Sequence, residues 1–103
     1  MRIIKTKTLK LFWEEHILAE TSLMAWVQVI ENNTFLNHNQ LVSQFRTASI
    51  LSDKRVVFNI HGNRFRLIVD FEFRFQTCFI VWIGTHAEYD KINAKNVKYK
   101  RIN

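Results

Sequence analysis

Residues 65–75 read Phe65-Arg66-Leu67-Ile68-Val69-Asp70-Phe71-Glu72-Phe73-Arg74-Phe75, and this stretch decides the fold. Every second residue is apolar, which is the period of a β-strand. Such alternation is typical of an antiparallel sheet that packs one face on a core and turns the other toward water or a ligand. We predict a long strand with its second face formed by Arg64, Arg66, Ile68, Asp70, Glu72 and Arg74.

Three further strands are predicted around this one. Residues 56–60 alternate in the same way, and His61-Gly62-Asn63 predicts a tight turn because Gly and Asn tolerate positive φ. Residues 78–83 are apolar on both faces and predict a central strand that is covered on both sides. Residues 2–5 predict a short first strand.

The N-terminal third has helical spacing instead. One helix is predicted after Thr6, with apolar positions that continue through His16 and Ile17, and a second is predicted to begin near Glu20 or Thr21. Residues 38–45 predict a short third helix, and Thr85 with Glu88 matches a helix capping box. The expected fold is α+β, with N-terminal helices packed on a small, mainly antiparallel twisted sheet in one domain, 1–103.

Composition excludes several classes of protein. The 103 residues are 48% hydrophobic, which supplies one core and excludes a disordered chain. Fifteen Lys and Arg against nine Asp and Glu give a net charge of +6. This excess indicates an anionic partner, either nucleic acid or an acidic protein. The alternative is that the charge only keeps a small domain soluble.

The expected location is the cytoplasm. Cys78 is the one cysteine, so no internal disulfide marks a secreted scaffold, and its apolar neighbours predict a buried, inert thiol. The apolar run 78–83 is too short to span a membrane. The first residues lack the apolar segment of a signal peptide.

Metal and cofactor chemistry is not expected. The histidines are His16, His38, His61 and His86, and none has a Cys or second His at ligand spacing. Two glycines cannot build a Gly-rich phosphate loop.

Basic and hydrogen-bonding groups instead gather around the predicted sheet. If consecutive strands pair as hairpins, they converge on one side of it. The set is Lys54, Arg55, Asn59, Arg64, Arg66, His86, Tyr89 and Asp90. Lys91 opens a basic tail, completed by Lys95, Lys98, Lys100 and Arg101, that suits steering of a phosphate backbone.

This set suits RNA cleavage without a metal. RNA carries its own nucleophile, the 2′-hydroxyl, so the protein supplies a base, a cation for the phosphorane-like charge and an acid for the leaving 5′-oxygen. Arg66 fits the cation and His86 the proton transfer. Tyr89 fits stacking or proton donation, and Asp90 fits orientation of His86.

Each assignment has a structural alternative. Arg64 and Arg66 would pair with Asp70 or Glu72 across the sheet. His86 would merely occupy the first turn of a capped helix, and Tyr89 would be an aromatic at the edge of the core. The basic tail would be a solvated segment.

Two segments resemble HigB-type toxins. Residues 56–68, VVFNIHGNRFRLI, are similar to the hairpin of that family, and residues 83–92, IGTHAEYDKI, are similar to its segment after the last strand. The resemblance implies a RelE/ParE-like α+β fold and an mRNA interferase that needs no metal and acts on the translating ribosome. It also implies a HigA-type helix-turn-helix antitoxin as partner. The matching functional positions are Asn59, Asn63, Arg66, His86, Tyr89 and Asp90.

The resemblance departs at Val81, where many relatives carry an arginine. Loss of that cation predicts a weakened enzyme, or a replacement role for Arg64 or Arg74. The predicted catalytic residues are Arg66, His86, Tyr89 and Asp90. The predicted substrate-binding residues are Lys54, Arg55, Asn59, Asn63, Arg64 and Lys91. The alternatives are a non-catalytic basic module that binds nucleic acid and a ParE-like toxin directed at DNA gyrase.

Overall fold

The computed structural model describes residues 1–99, and Lys100 and Arg101 of the predicted basic tail lie outside them. The chain order is β1 (Arg2–Ile4), α1 (Thr6–Glu15), α2 (Ile17–Glu31), α3 (His38–Gln44), β2 (Ser49–Ile50), β3 (Arg55–Ile60), β4 (Phe65–Glu72), β5 (Thr77–Thr85) and α4 (His86–Tyr89). Helices packed on a sheet confirm the predicted α+β class.

The five strands form one sheet in the order β1-β5-β4-β3-β2. Only β1 runs parallel to its neighbour, and the other pairs are antiparallel, as predicted for most of the sheet. The edge strand β2 is an addition that the sequence did not indicate. In the central register Asn59 lies opposite Arg66, and Arg66 lies opposite Gly84.

The main core lies between the helices and one face of this sheet. Phe65, Leu67, Val69 and Phe71 of β4 all lie in it, as their alternation predicts. Trp26 of α2 packs edge-on against Phe58 of β3, with ring centroids 5.3 Å apart. The two long helices are therefore fixed against the sheet by aromatic as well as aliphatic contacts.

The long strand ends earlier than predicted. After Glu72 the chain makes a 3-10 turn over Phe73–Phe75, and Gln76 adopts a left-handed conformation with φ of 49°. The Gln76 amide donates hydrogen bonds to the carbonyls of Phe35 and Phe73, which hold the turn that leads into β5. Phe75 is consequently 67% exposed, and its predicted place on the core face is wrong.

The junction of the first two helices also differs. His16 does not continue α1, because its backbone leaves the helical region with φ of −125° and ψ of 79°. The second helix begins at Ile17, three or four residues before the predicted start at Glu20 or Thr21. The His16 ring stacks on Phe12 at 4.2 Å between centroids, and this contact fixes the break between the helices.

The second face of the sheet is largely covered rather than open. Val57, Ile68 and Val81 form a smaller buried cluster there. Residues 92–99, here called the C-terminal strap, cover it with Ile92, Ala94 and Val97. The prediction that this face meets water or a ligand is therefore wrong for its middle. The covered strand β5 agrees with the prediction for residues 78–83.

Within residues 1–99, no helix has the length and apolar character that crossing a membrane requires.

Candidate active site

The predicted catalytic residues lie at the end of the sheet where β4 begins and β5 ends. Arg66 lies in the row formed by Asn59, Arg66 and Gly84 across three neighbouring strands. The helix α4 follows β5 directly, and the backbone N–H of His86 donates a 2.8 Å hydrogen bond to the Arg64 carbonyl. This bond ties the start of α4 to the start of β4.

The guanidinium of Arg66 is held in place by the preceding turn. Its Nη1 donates to the carbonyls of Asn63 (3.0 Å) and Phe65 (3.3 Å), and its Nη2 donates to Asn63 Oδ1 at 2.8 Å. These bonds use at most three of the five N–H donors of an arginine. Asn63 therefore positions Arg66, a role that its predicted assignment to substrate did not include.

An aromatic platform lies beside this guanidinium. The Arg66 guanidinium carbon is 5.8 Å from the centroid of the Tyr89 ring, a cation–π distance. The ring of Tyr89 is in turn 6.1 Å from that of Trp82. Arg66, Tyr89 and Trp82 are therefore a row of neighbouring planar groups, with the Tyr89 and Trp82 rings tilted by 53° to each other. Groups of this kind can stack on nucleic-acid bases.

Helix α4 is short and is fixed by its predicted capping box. The Thr85 hydroxyl accepts from the Glu88 N–H at 3.1 Å, and the Glu88 carboxylate accepts from the Thr85 N–H at 2.8 Å. One helical turn then places His86 Nδ1 3.1 Å from Asp90 Oδ2. When Nδ1 carries the proton that Asp90 accepts, Nε2 is the basic nitrogen of the neutral ring.

The remaining candidates of this end of the sheet are on its rim. Arg64 is exposed in the turn before β4, and Lys91 is exposed just after α4. Asn59 is half-buried on β3 beside Arg66. Arg64 and Lys91 are each two residues along the chain from a member of the Arg66–Tyr89 contact, and Asn59 lies opposite Arg66 in the sheet.

Lys54 and Arg55 are not part of this group. Arg55 pairs with Asp70 in the sheet, four residues along β3 from Asn59, which is about 13 Å at the rise of a strand. Its guanidinium binds both carboxylate oxygens of Asp70, at 2.8 and 3.0 Å, and these hydrogen bonds raise the pKa of Arg55 above its ordinary value. Lys54 pairs with Glu72 at the same end. This placement corrects the expectation that all the candidate cations converge.

Arg55 has a structural task instead. Its Nη1 donates to three carbonyls of the C-terminal strap, those of Ala94, Lys95 and Val97, at 3.2, 3.1 and 2.6 Å. The side chain is 11% exposed, so these bonds are shielded from water. Arg55 therefore holds the strap on the sheet.

Val81 occupies a β-bulge. Ile80 pairs with Val69 and Trp82 with Ile68, so Val81 is the extra residue between them. It is 4% exposed within the second cluster. A cation at this position would lie under the strap among apolar side chains. Arg74 lies beyond the far end of β4, so of the two proposed replacements only Arg64 is near Arg66.

Two members of the site had no sequence signal of function. Trp82 is one residue of the apolar run 78–83, and Gly84 directly follows that run. The bulge at Val81 shifts the strand period, so that Trp82 faces the same side as Tyr89. A period-two pattern read along the sequence does not contain that shift.

The described part of the chain does not bring together the side chains of a metal site or a reactive thiol. Across residues 1–99, no three His, Cys, Asp or Glu side chains are grouped so that they could hold a metal ion. Cys78 is buried, and burial raises the pKa of its thiol to about 12. A thiol in this state is a poor nucleophile.

The chain matches a family of toxins. The model of the HigB toxin, the RelE-like toxic component of a toxin–antitoxin system, matches residues 19–92. The chain belongs to this family.

Curated relatives agree. The chain is similar to the mRNA interferase toxin HigB of Escherichia coli (strain K12), with 32% identity over 96 residues that cover 91% of this chain and 92% of the relative. The mRNA interferase HigB proteins of Escherichia coli O157:H7 and Shigella flexneri are similar to the same extent.

Proposed function

We propose that this chain is a metal-independent endoribonuclease that cleaves mRNA as the toxin of a type II toxin–antitoxin system. The observation that carries the proposal is the contact of the Arg66 guanidinium with Tyr89. Tyr89 shares a four-residue helix with His86, whose imidazole is bonded to Asp90. A cation, an aromatic ring and an imidazole at one end of the sheet support this proposal.

The reaction uses the 2′-hydroxyl of the substrate as nucleophile. The 2′-oxygen forms a bond to phosphorus, the bond from phosphorus to the 5′-oxygen breaks, and the products are a 2′,3′-cyclic phosphate and a free 5′-hydroxyl. One proton leaves the 2′-oxygen and one joins the 5′-oxygen. His86 and Tyr89 exchange these two protons with the substrate, one as base and the other as acid.

Arg66 stabilises the negative charge that builds on the phosphate oxygens. Its guanidinium is already held by Asn63, so little reorganisation is needed when the charge develops. Asp90 fixes the tautomer and direction of His86. Asn59, Arg64 and Lys91 bind the backbone or bases on either side of the scissile bond.

The partner follows from the family. As the toxic component of a toxin–antitoxin system, the protein has an antitoxin. We infer that this antitoxin is of the HigA type, with a helix-turn-helix domain, and that the toxin cleaves mRNA on translating ribosomes in the cytoplasm. The net charge of +6 supports an RNA-bound location.

The test is inducible expression with and without the adjacent open reading frame, followed by mapping of transcript ends. We expect growth arrest, new ends that carry 2′,3′-cyclic phosphate, and rescue by a neighbour that encodes a small helix-turn-helix protein. Purified toxin added to translating extract should cleave with EDTA present in excess over any contaminating zinc. Growth arrest with intact mRNA would exclude the mechanism.

Substitutions test the site itself. Arg66→Ala and His86→Ala should each lower the cleavage rate at least about 100-fold, the usual loss when a charge-stabilising donor or an acid–base group is removed. Arg74→Ala is the matched control, because Arg74 is exposed beyond the other end of β4. If Arg74→Ala is as inactive as Arg66→Ala, the loss reflects general charge and the assignment is wrong.

A further inference from the structure

A cavity of about 460 Å³ opens beside His86, on the side of the sheet opposite to the Arg66–Tyr89 contact. Its walls come from the junction of α1 and α2 and from the starts of β4 and α4. The lining residues include His16, Ile17, Leu18, Arg64, Phe65 and His86. A volume of this size lies within the range of small-ligand sites, about 300–1,000 Å³.

The helix break at His16 creates this cavity. Because α2 begins at Ile17, the side chains of Ile17 and Leu18 project at the rim, 69% and 49% exposed. A single continuous helix over residues 6–31 would have no break at these positions. Two large aliphatic side chains therefore border the cavity beside a proposed catalytic group.

His16 is held as a rigid planar wall. Its ring stacks on Phe12 at 4.2 Å with an interplanar angle of 20°, and it meets Phe65 edge-on at 5.7 Å. The imidazole keeps hydrogen-bonding nitrogens at its edge, whichever tautomer is present. A fixed flat ring with polar edges is suited to contact with another flat ring that has polar edges.

The charges of the cavity suit RNA. Arg64 supplies a cation, His86 connects the cavity to the proposed site of bond cleavage, and none of the eight lining residues is acidic. Apolar walls, an imidazole edge and a cation at the rim match an unpaired nucleobase and its phosphate. An antitoxin segment that bound here by charge would have to be acidic, but most of the wall is apolar.

We propose that this cavity is a base pocket, in which Leu18 and Phe65 contact the face of one substrate nucleobase and His16 hydrogen-bonds its edge. The proposal deepens the function inferred above, because the pocket borders His86. It makes His16 a residue that determines which base lies next to the scissile phosphate.

The test measures binding to RNA that cannot be cleaved. Labelled 2′-O-methyl hexauridylates with A, C, G or U at one central position are titrated with purified toxin, and fluorescence anisotropy gives the ratio of Kd values for the best and worst base. His16→Phe keeps an aromatic ring that can stack on Phe12 and removes the polar edge. Leu18→Ala removes one wall.

We expect the wild-type protein to discriminate among the bases and both variants to lose about three- to tenfold of that ratio, the usual effect of one hydrogen bond or one apolar contact. Met24→Ala is the control, since Met24 is 52% exposed on the same helix and does not line the cavity. It should keep the wild-type ratio. Circular dichroism establishes that each variant is folded.

The outcomes separate this proposal from the proposed nuclease activity. Equal Kd ratios in wild type, His16→Phe and Leu18→Ala overturn the base pocket, even if the toxin cleaves mRNA. Lost discrimination supports the pocket, even if no cleavage is found, because the methylated probe lacks the nucleophile. If the variants weaken binding of the purified antitoxin and leave the base ratio unchanged, the cavity is an antitoxin contact and the proposal is wrong.

Discussion

Gly84 lies beneath the ring of Trp82 at the end of β5. A methyl group added to its Cα would lie 2.3 Å from Trp82 Cη2 and 2.5 Å from Cζ2, closer than carbon atoms approach. The absence of a side chain is thus what allows Trp82 to lie against Tyr89. This residue type is needed for space, since no unusual backbone angle is involved.

Gly84→Ala should displace the Trp82 ring and destabilise the fold by about 1–3 kcal/mol, the range for overpacking. The near-ultraviolet circular dichroism of the indole should change. Gly62→Ala is the control: nothing lies within 4 Å of the added carbon, but φ is +63°, so the cost is backbone strain of about 1–2 kcal/mol. An unchanged indole signal in Gly84→Ala would contradict the argument.

The buried thiol of Cys78 predicts a loss of stability at alkaline pH. Its pKa is raised to about 12 by burial, whereas the unfolded thiol ionises near 8.5–9. As pH rises, the thiol therefore loses its proton first in the unfolded state. The stability that comes from the difference between the two pKa values is complete below pH 8 and is lost between about pH 9 and 12. Urea denaturation across this range should show it.

Cys78→Ala is the comparison for this prediction. The variant creates a small cavity and lowers stability at pH 7 by about 1 kcal/mol. Its stability should then fall less steeply than that of the wild type above pH 9. Parallel curves for the two proteins over the whole alkaline range would show that the thiol has no part in the effect.

At the scale of elements, α4 depends on its cap. A four-residue helix cannot form alone, because nucleation fixes more backbone than its hydrogen bonds repay. The Thr85–Glu88 box and the bond from His86 N–H to the Arg64 carbonyl hold it. The orientation of His86 and Asp90 therefore rests on residues that take no part in the chemistry.

Thr85→Ala should remove the cap at a cost of about 1 kcal/mol, which lowers Tm by roughly 4–8 °C for a domain of this size. Cleavage should fall more than this loss explains, because His86 and Asp90 are no longer fixed. Thr85→Ser keeps the hydroxyl and should behave as wild type in both assays. If Thr85→Ala keeps full activity but has a lowered Tm, the cap stabilises the fold and is not needed for catalysis.

The strands show which structural features the alternation of apolar residues can predict. The alternation of residues 65–71 correctly predicts the core face of β4, because sheet geometry fixes that period. The turn at Gln76 and the bulge at Val81 were not predicted. Both depend on how β5 must pair with β4, which is a relation between segments and not a property of either one.

At the scale of the molecule, the sheet has two covered faces that differ in construction. The helices cover one with a large core, and the C-terminal strap covers part of the other. Arg55 links the strap to the sheet, because its guanidinium donates hydrogen bonds to three carbonyls of the strap and also pairs with the carboxylate of Asp70. At the other end of β4, His86 and Asp90 are exposed in the described part of the chain.

Arg55→Ala should loosen the strap. We expect the free energy of unfolding to fall by about 2 kcal/mol, because hydrogen bonds to charged groups contribute about 1.5–3 kcal/mol and Asp70 is partly exposed. We also expect faster trypsin cleavage after Lys95 and Lys98. Lys54→Ala is the matched control. Its pair with Glu72 is exposed, so stability should change by less than about 1 kcal/mol. Equal proteolysis of the two variants would contradict this role of Arg55.

The local features of this protein follow from its amino-acid sequence: the period of β4, the turn at residues 61–63, the capping box before α4 and the excess of positive charge. Each of these depends on neighbours along the chain. Which cations lie together depends on the three-dimensional fold, because strand register places Arg66 beside Tyr89 and Arg55 beside the strap. Likewise, His16 and His86 are 70 residues apart in the chain, and the packing of Phe12 and His16 against Phe65 at the start of β4 makes them line one cavity.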